Sequence, residues 1–156
     1  MLPPKLAVTV AAALAASLLL VSSAFAETDS AKFSQIFNSV NGTYTSLQKV
    51  TAAHNKWVGT HHGNCARSQT GKWWVKRYTQ AAKDVTSAEK RLSSVGAKAK
   101  RTKTYRDFVQ TFDDLTHWMA KKIEPRLFSC KGMPGKSGAV SNDLQNLAND
   151  LGIINY

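Results

Sequence analysis

The chain has 156 residues, with 21 Lys and Arg against 10 Asp and Glu and a formal net charge of +11. That length excludes a large multidomain assembly but is enough to bury one sizeable core. The charge excess says nothing about fold, and it makes anionic surfaces the natural partners.

Lys5 is followed by a charge-free run from Leu6 to Ala26, mostly Ala, Leu and Val as far as Val21. The run closes on Ser22-Ser23-Ala24-Phe25-Ala26. Small residues at Ala24 and Ala26 form the A-x-A pattern that a signal peptidase accepts. An uncleaved anchor is the rival reading. A span wants ~20 apolar residues, and this run reaches that length only when its Thr and Ser are counted. Residues 1–26 are therefore expected to be a cleaved secretory signal. The expected product, 27–156, is one domain, secreted or periplasmic, with no transmembrane segment. It carries 20 of the Lys and Arg and all ten acids, a net charge of +10.

Apolar residues recur at helical spacing in three long segments and one short one. The first spans about 30–58, with Phe33, Phe37, Val40, Tyr44, Leu47, His54 and Val58 on one stripe. Asn41-Gly42 lies inside it and is expected to bend or split it, since Gly costs ~1 kcal/mol in a helix interior. The second spans about 72–95, with Trp74, Tyr78, Ala81, Val85, Ala88, Leu92 and Val95 inward and Lys76, Lys83 and Lys90 opposite. The third spans about 102–129 along Tyr105, Phe108, Phe112, Leu115, Met119 and Ile123, with Pro125 expected to kink its last turn. The fourth, about 137–151, carries Val140, Leu144, Leu147 and Leu151. The connections are polar, and 132–135 (Gly-Met-Pro-Gly) reads as a turn cluster. Nothing alternates as a strand would, and no segment repeats. The fold class is thus all-α: an up-and-down antiparallel bundle of three long helices and a shorter fourth.

Cys65 in the first connection and Cys130 at the end of the third helix fall at the same end of such a bundle. In an oxidising compartment they are expected to form one disulfide. Closing a loop of about 66 residues would stabilise the fold by roughly 4 kcal/mol.

Candidate sites divide into chemistry and binding. Thr60-His61-His62-Gly63-Asn64-Cys65 is the most ligand-like stretch: His61 and His62, with His54 one to two turns earlier, have donor types that suit a transition metal. The spacing matches no recognisable metal motif. Haem is the other cofactor considered, and the absence of Cys-x-x-Cys-His excludes covalent attachment. The leading expectation is that no cofactor is bound. Asp113 and His117 stand four apart on the third helix, away from its apolar stripe, and read as a surface pair. Gly135-Lys136-Ser137 lacks the first glycine of a phosphate-binding loop, whose place Cys130 takes. No Ser, Thr or Cys nucleophile falls beside a base, and the sparse acids form no glycosidase pair.

Two basic clusters favour binding. Lys98, Lys100, Arg101, Lys103 and Arg106 form a run without an acid between the second and third helices. Lys72, Trp73, Trp74, Lys76 and Arg77 interleave aromatics with cations at the other end. Trp73, ~100° from the core stripe, is expected to be partly exposed and able to stack on a base, a sugar or a headgroup boundary. The sequence reads as a basic, non-enzymatic, exported binding protein. Its expected partner is an anionic envelope polymer, lipid headgroup or other polyanion, with nucleic acid the less favoured case. The alternatives are a periplasmic metal or haem carrier on His54, His61 and His62, and an enzyme or enzyme inhibitor whose site is assembled across helices.

Overall fold

A computed structural model describes residues 27–61 and 72–153. The expected signal, His62 and Cys65 lie outside the described residues. The described chain is all-helical. The helices are α1 (Asp29–Thr60), α2 (Trp73–Ser93), α3 (Lys103–Trp118) and α4 (Gly138–Asp150), with a 3-10 turn at Ala99–Arg101 between α2 and α3. Beyond α3 the chain continues as a π-helix, Met119–Ile123, and a 3-10 turn, Glu124–Arg126. Among the described residues no helix is long and apolar enough to cross a membrane.

Hydroxyl caps set three of the helix starts, each satisfying a backbone N–H that has no intrahelical acceptor. Thr28 accepts from Ala31 N, Thr102 from Tyr105 N and Ser137 from Val140 N. α1 runs through Gly42 unbroken. Val40, Thr43 and Tyr44 around it are buried, so tertiary packing outweighs the cost of one glycine. Phe33, Val40, Leu47 and Val50 of α1 pack with Val85 and Leu92 of α2, Phe108 and Leu115 of α3, and Leu144 and Leu147 of α4 in one core. Phe33 stacks on Phe108 with ring centroids 5.4 Å apart.

The third segment departs from the expected continuous helix. Pro125 has no N–H and its ring crowds the carbonyl four residues back, so the α ladder cannot pass through it. The chain widens instead, and Glu124 N–H bonds to Met119 O, five residues earlier. The expected turn cluster is also different. Residues 127–137 form a strap that climbs back along α1 until α4 begins near that helix's midpoint. Polar side chains of α1 pin the strap backbone. Asn55 accepts from Met133 N at 2.7 Å and donates to Met133 O at 2.8 Å. Tyr44 Oη accepts from Ser137 N at 3.1 Å and donates to Ser137 O at 2.9 Å. Each side chain thus replaces the donor and acceptor that a neighbouring backbone would otherwise supply.

Candidate functional site

The turn between α2 and α3 is built rather than loose. Val95 and Ala99 are buried beneath it. Asp29 Oδ1 accepts from Gly96 N at 3.0 Å, and a Cβ at Gly96 would stand 2.9 Å from Asp29 Oδ2, so any larger residue there would push the carboxylate aside. Lys98, Lys100, Arg101 and Arg106 project from this frame and are exposed. Arg106 Nη1 donates to Arg101 O at 3.2 Å, which keeps those two cations adjacent. Lys103 belongs to the same run of sequence but not to the same role. Its Nζ sits 2.6 Å from Asp107 and 2.9 Å from Asp150, clamping α3 to the end of α4. Among the described residues, Lys103 is the one cation held in an ion pair.

Trp73 is 47% exposed, as its position on the helical wheel implies, and Arg77 lies over its ring at 5.7 Å from the centroid. These two residues face Thr45, Ser46 and Lys49 of α1 across a groove of about 490 Å³ that also opens at Gly42. Lys49 had no sequence signal as part of this group, because it lies on another helix. At ~1.5 Å per residue, α2 separates Trp73 from the basic turn by about 30 Å. One small ligand cannot touch both.

The outer stripe of α2 spans that distance. Lys76, Lys83 and Lys90 are all exposed. Residues seven apart drift by only ~20° round an α-helix, so the three ammonium groups follow one line. The line starts beside Trp73 and Arg77 and ends where the basic turn begins. Asp84, one residue from Lys83, accepts from Gln80 Nε2 at 2.8 Å and forms no ion pair with a described cation.

The histidines are placed differently. His54 is fully buried, and its Nε2 meets Ser129 O at 3.2 Å. A carbonyl accepts only, so Nε2 donates in this contact. The other ring nitrogen, Nδ1, is buried and has no partner among the described residues, as is true of Trp74 Nε1, a donor in a ring whose centroid lies 6.0 Å away. His61 ends α1, stacks on Trp57 at 4.5 Å, and donates from Nδ1 to Trp57 O at 3.0 Å. His54 and His61 stand two helical turns apart and do not converge. Among the described residues, no cluster of three or more His, Cys, Asp or Glu side chains could hold a metal.

Asp113 and His117 are exposed on α3. Their neighbour Asp114 faces Asp143 of α4. Burial, then the Asp114 carboxyl, pushes the Asp143 acid up to about 6. No family model, curated protein or solved structure matches the chain.

Proposed function

We propose that this is an exported, non-enzymatic binding protein that holds an extended polyanion along α2. A cell-envelope polymer is the favoured ligand. The observation that carries the reading is the line of exposed cations, in no ion pair among the described residues, from Lys76 through Lys83 and Lys90 to Lys98, Lys100 and Arg101. Converging like charges repel one another and are retained at a cost that an anionic partner relieves. A chain of regularly spaced negative groups fits a line about 30 Å long better than a compact ligand does. Trp73 and Arg77 form its aromatic end, suited to stacking on a sugar or base. Lys103 is left out of the contact set because two carboxylates already hold it.

Export of residues 27–156 and a Cys65–Cys130 bond belong to the same reading. The His54 contact to Ser129 O brings Cys130 near the last two turns of α1, and Cys65 follows the helix's last residue, Thr60, by five positions. Mass spectrometry of protein recovered from outside the cytoplasm checks both, through the N-terminal residue and the absence of free thiols.

The binding face is tested by NMR titration with a defined polyphosphate and with a sulfated polysaccharide. Amide shifts concentrated on the outer face of α2 and the turn at 94–102 are the expected result. Shifts centred on α3 and α4, or none at low salt, contradict it.

A further inference from the structure

A second cationic pocket lies between the strap and the π-helix. It is an open depression of about 680 Å³, and its lining includes Trp118, Lys122, Arg126, Met133, Pro134 and Lys136. Three of these are cations, and the lining contains no carboxylate. Glu124, the acid closest in sequence, already accepts from Tyr78 Oη at 3.3 Å. The pocket is formed by two features, the π-helix and the strap. The π-turns carry Lys122 past the point where an α-helix would have placed it, and π-turns inside helices are often kept for function. The strap, fixed through Asn55 and Tyr44, then brings Lys136 opposite.

The lining is specific in other ways. Arg126 is half-buried, and its Nη1 donates to Lys122 O at 2.8 Å. That bond fixes the guanidinium plane and leaves further N–H groups for a ligand. Trp118 is 4% exposed, and its indole N–H is buried with no hydrogen-bond partner among the described residues. A buried donor without an acceptor is costly, and a ligand acceptor at this wall would relieve that cost. Ser137 also lines the pocket, bringing the positive end of the α4 dipole to its edge.

We infer that this pocket binds an organic phosphate monoester. The phosphate lies among Lys122, Arg126 and Lys136, and the ester group lies against Trp118, Met133 and Pro134. Three cations with a planar guanidinium fit a dianion with several acceptor oxygens better than a single carboxylate. The volume exceeds that of a bare phosphate, and the apolar part of the wall gives the remainder a surface. The inference does not depend on the α2 track, since it uses none of the same residues.

The test is an NMR titration of the 15N-labelled protein with glycerol phosphate, following the Trp118 indole N–H, assigned through W118F. A saturable shift is expected. K122Q/K136Q should weaken binding about tenfold or more, whereas K98Q/K100Q/R101Q should leave it unchanged. Both lysines of the first variant are exposed and make no described side-chain bond, so that protein folds. Inorganic phosphate should bind more weakly, and glycerol not at all. Vesicles containing phosphatidic acid distinguish the source: capture lost in K122Q/K136Q assigns the phosphate to a lipid, and no capture assigns it to a soluble ester. Absence of any Trp118 shift at about 10 mM ester, or an equal shift in K122Q/K136Q, overturns the inference.

Discussion

The contact between α1 and the strap differs sharply from the outer face of α2. In the first, polar side chains are consumed by the fold: Tyr44, Asn55 and His54 each meet a backbone group of residues 129–137. In the second, Lys76, Lys83 and Lys90 are exposed and form no ion pair among the described residues. Both regions are polar and helical, and composition alone does not separate them. What separates them is whether a polar atom has a partner inside the molecule. Groups that do are explained by stability, and groups that do not are where a ligand is to be sought.

Removing the unpaired charges should have the largest effect, and on binding alone. A variant with Lys76, Lys83, Lys90, Lys98, Lys100 and Arg101 all changed to Gln is expected to lose polyanion affinity by about a hundredfold at low salt. Its denaturant midpoint should stay at or above that of the wild type, because it relieves repulsion. The opposite pattern should follow from Asn55→Ala. It leaves Met133 N–H and C=O without their partners and should cost about 2–3 kcal/mol in urea unfolding, with polyanion affinity retained. Equal effects of the two variants on both readouts would erase the distinction between the regions.

How far these regions were legible in the sequence follows from the range of each signal. Helical spacing is local, so the four helices and the inward faces of Phe108, Leu115 and Leu144 could be read directly. The outward stripe of α2 could be read the same way, and so could the exposure of Trp73. Pairings across the fold could not. Asn55 meets a residue 78 positions away and Tyr44 one 93 away, and nothing beside either residue announces it. Lys103 looked like part of the basic run because Asp150, 47 positions on, is invisible to a local pattern. Lys122 and Lys136 became neighbours in one pocket through the path of the strap, which read as a simple turn cluster.

Two smaller effects sharpen the comparison. Trp73→Ala should weaken sugar polyanions by about fivefold, the worth of a partly exposed aromatic contact, with less effect on polyphosphate. Binding curves for the two ligands measured side by side check this. Within the fold, Asp143 has its acid raised to about 6 by burial and by Asp114. The folded state therefore takes up this proton more readily than the unfolded chain. Its contribution is fully present below the ordinary carboxylate value of about 3.8 and is lost as pH rises through about 6. Asp143→Asn should flatten that part of the stability profile, read from urea midpoints between about pH 4 and 7.

The most direct test of the central claim is the salt dependence of polyphosphate binding by the wild type and by K76Q/K83Q/K90Q. If the α2 stripe is the contact, log affinity falls steeply and linearly with log salt, and the triple variant shows a clearly shallower slope. The same slope in both proteins, or an affinity indifferent to salt, would contradict the assignment of the polyanion to α2.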